Sequence, residues 1–446
     1  MTPTLTEPGA LSSPVLNSSL TDLLRRWLPR QRWYSGSGHP ITEVAVAAAT
    51  QLAADCFHLV VRVQEDTVRD AAHYQLILGA AVSPPPRLRH CLLGSVGGPA
   101  GRELMVYDAV HDHRTAVLLL DRIRRGGRTG ALRFESMPRT SVPADLTPRV
   151  LDTEQSNTSI VYGDRLILKL FRRVQRGVNP DLEVPTALAK LGYPWAPAPT
   201  AWFCTVDPFW CTLGIVQPFL AGATDGWILA RRSAAEREDF VTQARDLGRT
   251  TGELHAALAR AFPTRTPSAH HETRLAEEMM GRLEKAASAV PALRPHVPGL
   301  HAVFASIATG VGHPPLQRIH GDLHLGQVLR ASGRWYVVDF EGEPAKPMAE
   351  RCAEHSPVRD VVGMLRSFDY AAHKRLSPRR QWADECRAAF CAGYGESGDF
   401  EPADLPKLLR AYEADRAVYE VLYEAAHRPD WIVIPLHAAA RLAGSR

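Results

Sequence analysis

Short apolar runs alternate with turn residues near the start of the chain. The runs cover residues 44–52, 56–64, 73–82 and 103–110 and are rich in Val, Leu and Ile. Such runs between turn residues are typical of strands. Ahead of them, apolar residues recur at helical spacing through residues 17–28, after a start in Asn and Ser. The pattern predicts a small α+β unit preceded by a helix.

A second strand-rich segment follows, and the remainder of the chain has a helical pattern. Two apolar runs around Gly163 and Asp164 predict a pair of strands, and residues 212–220 predict another. Between them lies a helical pattern that stops at Gly192. From residue 225 onward helical spacing dominates, up to a last short helix after Pro435. We therefore predict four segments: a mobile tail at 1–18, an α+β unit at 19–135, a mostly β unit at 136–220 and a helical unit at 221–446.

Composition narrows the class of protein. The 446 residues are 45% apolar and carry a net charge of only +4, which does not suggest a nucleic-acid-binding face. The seven cysteines are odd in number and lack CxxC spacing, which favours a reducing, cytoplasmic location over a disulfide framework. No run approaches the ~20 apolar residues of a membrane span, and the N-terminus lacks a signal-peptide pattern. We expect no nucleic-acid or membrane partner, and a monomer.

Two polar motifs stand out in the helical segment. The first covers residues 319–327 (IHGDLHLGQ), and the second covers residues 337–344 (VVDFEGEP). A strand pattern leads into the second motif, and the turn residues Ser332 and Gly333 lie between the two. The short separation predicts that both motifs sit on one small hairpin.

These motifs supply the groups that phosphoryl transfer requires. One carboxylate must accept the proton of the attacking hydroxyl, a second must hold Mg²⁺ against the phosphate oxygens, and a neutral oxygen ligand completes the metal shell. Asp322, Asp339 and Gln327 match these roles in that order. The spacing corresponds to the protein-kinase catalytic loop, with Gln327 where Asn is usual, and an amide oxygen suits Mg²⁺ in either case. We predict transfer from ATP with Asp322 as base and Mg²⁺ as cofactor.

Two other interpretations of these motifs are weaker. His320 and His324 resemble zinc ligands, but no third nitrogen or sulfur ligand stands nearby, and the segment around Asp339 offers oxygen ligands. A binding module without catalysis is disfavoured because Asp322, Gln327 and Asp339 are all present, as is a strand lysine, Lys169.

The predicted strands upstream contain candidate ATP-binding residues. Lys169 interrupts an apolar strand, and a lysine in such a place is costly unless it is paired. In a kinase-like fold this lysine contacts the α- and β-phosphates and pairs with a helix glutamate, for which Glu183 is the candidate. The remaining candidates are Ser156 and Asn157 for the phosphates, within the loop of residues 154–159, and Gln217 and Phe219 for adenine, in the linker between lobes.

The chain as a whole, over about residues 20–445, resembles the bacterial maltokinases, which are relatives of the aminoglycoside phosphotransferases. The matching segments are residues 30–36 (RQRWYSG), 154–162, 166–184, 320–330, 337–344, 356–372 (SPVRDVVGMLRSFDYAA) and 419–429 (YEVLYEAAHRP). The resemblance implies an α+β, bilobal eukaryotic-protein-kinase-like fold with an N-terminal cap subdomain. The segment at 19–135 is then the cap, 136–220 completes the ATP-binding lobe and its linker, and 221–446 is the helical C-lobe with the catalytic and sugar-binding residues.

The acceptor is less clear from this resemblance. Maltokinases typically have HRPxWLPIPL near the C-terminus, whereas this chain adds a carboxylate at Asp430, before Trp431, and has Val433 in place of a proline. Actinobacterial relatives in the resembled family phosphorylate glucosamine, and a carboxylate beside a Trp platform suits an ammonium sugar. We therefore expect a glucosamine kinase acting at O6. The alternatives are a maltokinase that makes maltose 1-phosphate and an aminoglycoside phosphotransferase.

The expected acceptor site lies near the C-terminus, and two of its features remain open. Asp430 is either a reader of the amino group or a loop residue facing solvent. The acidic residues before it, among them Glu413 and Asp415, either add negative potential or form a solvated face. The candidate acceptor contacts are Asp322, His324, Glu424, Arg428, Asp430 and Trp431.

Overall fold

A computed structural model describes residues 14–34, 36, 38–98, 102–151, 156–309, 312–343, 346–373 and 380–444. The chain forms two compact units, which we call the first and the second unit. The first comprises Met1–Glu183 and Ala198–Ala221, and the second comprises Val184–Pro197 and Gly222–Arg446. The first helix begins at Pro14, within the segment 1–18 that was predicted to be a mobile tail; residues 1–13 lie outside the described part of the chain.

The first unit contains a six-stranded antiparallel sheet in the order β1-β2-β3-β5-β4, with β11 paired to β3. The four predicted runs form β1, β2, β3 and β5, and helix α1 packs its leucines on this sheet. Strand β4 was not predicted, because its sequence LLGSVG has two glycines and few apolar residues. The elements are α1 (Pro14–Trp27), β1 (Ile41–Ala53), β2 (Cys56–Glu65), β3 (Ala72–Ala81), β4 (Leu92–Gly97), β5 (Glu103–Asp108) and β11 (Arg173–Val174).

A seven-stranded sheet in the order β6-β7-β12-β13-β10-β9-β8 completes the first unit. The predicted strand pair around Gly163 and Asp164 is confirmed as β9 and β10, and the run at 212–220 contains β13. Strand β6 and most of β7 lie in the segment predicted as the cap, yet they pair within this second sheet. The elements are α2 (His113–Arg125), β6 (Gly127–Thr129), β7 (Leu132–Ser136), β8 (Pro148–Val150), β9 (Thr158–Tyr162), β10 (Leu166–Leu170), β12 (Ala201–Thr205) and β13 (Cys211–Pro218).

Buried polar contacts tie the two sheets of the first unit together. Gln75 on β3 donates from Nε2 to the carbonyl oxygen of Phe171 at 2.7 Å. Arg172 is almost fully buried and donates to Asp108 Oδ2 at 2.6 Å and to Thr158 Oγ1 at 2.8 Å. Because a buried charge is tolerated only when it is paired and hydrogen-bonded, these contacts fix the cap sheet against the strands that carry Lys169.

The second unit is mostly helical, as predicted. Its small sheet has the order β14-β15-β16, and β15 and β16 form the predicted hairpin around Ser332 and Gly333, both of which adopt positive φ. Helix α3 (Pro180–Lys190) leads into this unit. The other elements are β14 (Thr224–Asp225), α4 (Gly226–Glu236), α5 (Val241–Ala261), α6 (Ala269–Ala289), α7 (Val297–Ala305), β15 (Val328–Ala331), β16 (Arg334–Val337), α8 (Met348–Arg351), α9 (Val358–Ala371), α10 (Arg380–Gly395), α11 (Pro406–His427) and α12 (Val433–Ala443).

Helices α9 and α11 form the framework for the two motifs. Apolar side chains of α9 pack in the two cores of the second unit, one of which contains β16 and α10 while the other contains α11 and α12. The polar faces of α9 and α11 are thereby held next to each other and beside the first motif. Within the described residues, no helix is long and apolar enough to cross a membrane.

Candidate active site

The structure brings the two predicted motifs into direct contact. His320 Nε2 donates to the carbonyl oxygen of Val338 at 3.0 Å, and the Val338 N–H donates to the carbonyl oxygen of Gln327 at 3.0 Å. Gly321 has a φ of +87°, and a Cβ built on it would lie 3.7 Å from the Cα of Gly342. These contacts place the loop that carries Asp322 next to the segment that carries Asp339.

Asp339 has an unusual backbone conformation for a residue other than glycine. Its φ is +66°, in the left-handed region, two residues after the end of strand β16. Such a conformation costs of order 1–3 kcal/mol and persists where the surrounding structure enforces it, most often at functional sites. Aspartate tolerates it better than most residues do. The strain is consistent with selection of the Asp339 side chain for chemistry rather than for folding.

The two histidines of the first motif have structural contacts. His320 uses both ring nitrogens, because Nδ1 accepts from the Asp322 N–H at 3.4 Å and Nε2 donates to Val338. His324 Nδ1 accepts from the Gly326 N–H at 3.0 Å, and burial lowers the pKa of His324. Within the described residues there is no cluster of three or more His, Cys, Asp or Glu side chains placed to hold a metal ion. The histidine arrangement thus gives no support to the zinc interpretation, because His320 has no nitrogen left for a metal.

Asp360 at the start of α9 holds the first motif in place, a role that the sequence analysis missed. Its carboxylate is buried and accepts from the backbone N–H groups of His320 at 2.7 Å and Gly321 at 2.9 Å. His255 Nε2 lies 3.1 Å from the same carboxylate. Burial alone opposes ionisation, but the hydrogen bond and charge of His255 and the backbone donors keep the pKa of Asp360 below its ordinary value. The loop is therefore anchored by an ionised, fully bonded carboxylate.

A chain of charges leads from Asp322 along α11. Arg416 Nη2 lies 3.7 Å from Asp322 Oδ1, and Arg416 Nε lies 3.5 Å from Glu420 Oε1. Arg366 on α9 donates to Glu420 Oε2 from both Nε (3.0 Å) and Nη2 (2.7 Å). Burial lowers the pKa of Arg416, but the carboxylates around it more than compensate and raise it overall. Arg416 was not predicted, since one arginine in a helix pattern has no sequence signal of its own.

The acidic residues of α11 are paired, and they do not form a solvated face. Glu413 and Glu420 are buried, and Glu413 accepts hydrogen bonds from Arg387 at 3.0 Å. Asp415 accepts two hydrogen bonds from Arg282, at 2.8 and 2.9 Å. Glu413 and Glu420 therefore do not belong to a solvated face, which was one of the two alternatives. The other alternative was that these residues add negative potential, and the paired arginines offset much of that potential.

Glu424, one turn beyond Glu420, differs from these carboxylates because only one of its two oxygens is hydrogen-bonded within the described residues. Its side chain is only 1% exposed, and Oε1 accepts from Tyr370 at 3.1 Å and from Arg428 at 2.7 Å. The second oxygen, Oε2, is buried and has no hydrogen-bond partner within the described residues. Trp431 stacks on Tyr370 with ring centroids 6.2 Å apart and planes 14° apart, and the Arg428 guanidinium lies 5.5 Å from the Trp431 centroid. Three of the predicted acceptor residues are thus brought together.

The structure places Asp430 at the surface. Its side chain is exposed, in the middle of the 3₁₀ turn Pro429–Trp431. An exposed carboxylate is well hydrated, so contact with a charged ligand gains little free energy there. The interpretation of Asp430 as a loop residue facing solvent agrees with this position.

The predicted ATP-binding residues lie in the first unit around β10. Lys169 Nζ lies 2.7 Å from Asp181 Oδ2 at the start of α3, and both side chains are largely buried. Asp181 was missed as a partner for the lysine; Glu183, the predicted partner, follows it by two residues.

The other predicted ATP-binding residues lie at the ends of neighbouring strands. Ser156 and Asn157 precede β9, whereas Glu154 and Gln155 of the same loop lie outside the described residues. Gln217 pairs with Ile167 at the end of β13, and the Phe219 N–H donates to the Arg165 carbonyl oxygen at 2.9 Å.

The donor set around Asp339 fits a magnesium ion. Asp339 offers a carboxylate and Gln327 a neutral amide oxygen, and the hydrogen bond between Val338 and Gln327 holds their backbones together. Mg²⁺ prefers oxygen ligands and is usually bound by one or two protein groups with substrate phosphates and waters supplying the rest. A compact all-protein cage is therefore not required for this ion.

Comparison with known proteins agrees with this geometry. Residues 145–408 match the phosphotransferase enzyme family, and residues 27–112 match the maltokinase N-terminal cap domain. A glucosamine kinase from Streptacidiphilus jiangxiensis is 29% identical over 351 residues, which cover 72% of this chain and 79% of that protein. A glucosamine kinase from Mycolicibacterium smegmatis is 30% identical over 318 residues, covering 64% of this chain and 77% of that protein.

Solved structures agree with the same assignment. A glucosamine kinase in complex with glucosamine, ADP and inorganic phosphate superposes with a TM-score of 0.66 at 25% identity, covering 95% of this chain and 98% of that one. A second crystal form of glucosamine kinase gives a TM-score of 0.68. Fold and site together define a kinase-like phosphotransferase with an N-terminal cap, which confirms the predicted fold class. The chain belongs to the phosphotransferase enzyme family and is an ATP-dependent sugar kinase.

Proposed function

We propose that this sugar kinase transfers the γ-phosphoryl group of ATP to glucosamine, with O6 as the accepting oxygen. The observation that carries the proposal is Glu424 Oε2, a buried carboxylate oxygen beside the Tyr370–Trp431 stack that has no hydrogen-bond partner among the residues that the structure describes. A buried acceptor of this kind is costly until a donor reaches it, and a protonated amine provides a charged donor. The glucosamine kinases among the relatives support the same acceptor.

The chemistry assigned to the site is a direct displacement at phosphorus. Asp322 accepts the proton of the O6 hydroxyl while that oxygen attacks the γ-phosphorus, and the bond to the β–γ bridging oxygen breaks to release ADP. Gln327 and Asp339 would hold Mg²⁺, which would supply neutralisation of charge on the phosphate oxygens. In the first unit, Lys169, paired with Asp181, is assigned to the α- and β-phosphates, and Ser156, Asn157, Gln217 and Phe219 are the other proposed nucleotide contacts.

The sugar is placed by the residues around Glu424. The Trp431 ring covers an apolar face of the pyranose, Glu424 binds the 2-ammonium group, and Arg428 holds Glu424 Oε1 so that Oε2 remains available. His324 contributes Nε2 to a sugar hydroxyl, because its Nδ1 is already bonded to Gly326. This arrangement favours an amino sugar over a neutral one, since an acceptor without the amine leaves the carboxylate unpaired.

The acceptor is tested by ADP release with Mg·ATP and a panel of glucosamine, glucose, maltose and an aminoglycoside. We expect the highest kcat/KM with glucosamine and no more than background ADP release without an acceptor. Maltose is the alternative acceptor, because residues 27–112 match the maltokinase cap domain. A preference for maltose, with phosphate on the anomeric oxygen, would replace the proposal by a maltokinase function. Phosphorus NMR of the product decides between O6 and other oxygens.

Glu424→Gln is expected to lower kcat/KM for glucosamine about 10–150-fold, because a hydrogen bond to a charged group is worth roughly 1.5–3 kcal/mol. The amide retains an oxygen for Tyr370 and Arg428, so the fold is preserved, and activity with glucose should change by less than about 3-fold. Asp415→Asn on the same helix is the matched control, since its carboxylate faces Arg282.

The same measurement on Asp430→Asn tests the interpretation drawn from the sequence. Because Asp430 is exposed, we expect a smaller loss of glucosamine use than for Glu424→Gln. A larger loss at Asp430, together with an unchanged sugar preference in Glu424→Gln, would return the amine-reading role to Asp430.

A further inference from the structure

Helix α11 carries charged residues at regular four-residue intervals. Arg416, Glu420 and Glu424 follow one another at this spacing, which places them in one row along the helix, and Arg428 follows directly after the last helical residue. At one end of the row Arg416 contacts Asp322, and at the other end Glu424 contacts Tyr370, which stacks on Trp431. One helix therefore carries contacts both to the catalytic loop and to the acceptor site, separated by eight residues or about 12 Å at 1.5 Å per residue.

The contact between Arg416 and Asp322 has a geometry that suits orientation of a base. Arg416 Nη2 and Asp322 Oδ1 are 3.7 Å apart, which is close enough for an ion pair but too far for a hydrogen bond. Arg416 therefore attracts the carboxylate without donating a hydrogen bond to it, and this contact leaves the oxygens of Asp322 able to accept the proton of the acceptor hydroxyl.

Charge balance alone does not explain Arg416. Glu420 already accepts two hydrogen bonds from Arg366, and Arg366 also donates to Asp369 at 2.6 Å. In the described part of the chain, Arg416 Nε is buried and makes no hydrogen bond, and it lies 3.5 Å from Glu420 Oε1. The guanidinium is held by this charge, by Asp322 and by the Tyr419 ring at 5.2 Å. A planar guanidinium can bridge two carboxylates in this way, which a single ammonium group cannot do as well.

We infer that Arg416 is a positioning residue for Asp322, and that it ties the alignment of the base to the helix that binds the acceptor. The inference rests on the proposed function only in that Asp322 is the base. Glu420 and Arg366 fix one side of Arg416, and its other side sets the direction of the Asp322 carboxylate. Since both contacts lie on α11, an acceptor held at Glu424 meets a base whose orientation is set by the same rigid element.

Arg416→Gln is expected to lower kcat about 10²-fold, because a misplacement of roughly 1 Å in a reacting group has a cost of this size. The KM for ATP and the slow hydrolysis of ATP without an acceptor should be unchanged, since neither depends on the alignment of Asp322 with a sugar hydroxyl. Arg416→Lys should retain intermediate activity, and added guanidinium should partly restore Arg416→Ala. A residue that only stabilises the fold would show neither the kcat-specific loss nor the rescue.

The matched control is Arg282→Gln, which removes an arginine–carboxylate pair from α11 at the neighbouring residue Asp415 without reaching Asp322. It should keep the kcat of the wild type. All variants are compared by thermal unfolding and by binding of ADP. A kcat for Arg416→Gln within about 3-fold of that of Arg282→Gln, in folded protein that binds ADP, would overturn the inference.

A double mutant tests the tie between base and acceptor site. Residues that act through one network are not additive, so Glu424→Gln should cost less in the Arg416→Gln background than in the wild type. Strict additivity would overturn this part of the inference. The measurement uses whichever sugar the wild type prefers: a preference for maltose rejects the proposed acceptor while the effect of Arg416 on kcat still tests the inference.

Discussion

Replacement of Asp322 by Asn is expected to reduce kcat about 10²–10⁴-fold, the usual contribution of a positioned general base. The amide has the shape of the carboxylate but cannot take the proton of the acceptor hydroxyl. The loop around it should be unchanged, because Asp360 binds the backbone of His320 and Gly321 and not the Asp322 side chain. Steady-state kinetics with glucosamine, and binding of an ATP analogue by calorimetry, measure the two parts of this expectation.

The binding measurement separates a chemical role from a structural one. Asp322→Asn should bind the ATP analogue with the affinity of the wild type, since the predicted nucleotide contacts lie elsewhere. Asp360→Asn is a useful comparison, because it weakens the anchor of the whole loop and should lower both activity and the melting temperature. Near-wild-type turnover by Asp322→Asn would remove Asp322 from the role of base.

Features encoded within a few neighbouring residues were predictable from the sequence. The hairpin of β15 and β16 follows from an apolar strand pattern around Ser332 and Gly333, and both turn residues adopt the positive φ that such a turn needs. The spacing of Asp322 and Gln327 is likewise local, because both lie on one loop. Phosphoryl transfer therefore follows from residues that are close in sequence.

Contacts between distant elements were not predictable in this way. Arg416 meets Asp322 only because α11 packs against α9, and Asp360 reaches the first motif from a separate helix. Each is one charged residue in an ordinary helical pattern, and its partner is set by tertiary packing. Asp181 was missed for a related reason, since two acidic residues of one helix turn compete for Lys169 and a helix pattern does not rank them.

The exposure of Asp430 also depends on tertiary packing. The sequence shows that a carboxylate precedes Trp431, but not which side of the 3₁₀ turn it occupies. The structure exposes Asp430 and turns the Trp431 ring towards Tyr370, so the buried carboxylate next to the ring comes from α11. Spacing along the chain therefore predicts a carboxylate next to Trp431, whereas burial distinguishes Glu424 from Asp430.

Removal of the charge at Asp339 should abolish activity, with an expected loss of about 10³-fold or more. A metal ion contributes several kcal/mol to stabilising charge in the transition state, and each 1.36 kcal/mol corresponds to a tenfold change in rate. Asp339→Asn is the appropriate change, because Asp339 has a φ of +66° and Asn, unlike Ala, adopts this conformation readily. The wild type treated with EDTA should also be inactive until Mg²⁺ or Mn²⁺ is added.

Metal binding itself is measured by electron paramagnetic resonance of Mn²⁺ in the presence of a non-hydrolysable ATP analogue. Asp339→Asn should weaken Mn²⁺ binding at least about tenfold, since a neutral amide replaces the only charged protein ligand proposed for the ion. Asp164→Asn is the matched control, because Asp164 also has a left-handed backbone (φ +50°) but lies in the turn between β9 and β10. Equal Mn²⁺ affinity in Asp339→Asn and wild type, or full activity of the EDTA-treated enzyme without added metal, would exclude Asp339 as the metal ligand. The strain at this residue would then have to serve the fold, and the melting temperature of Asp339→Gly, which relieves it, would measure how much.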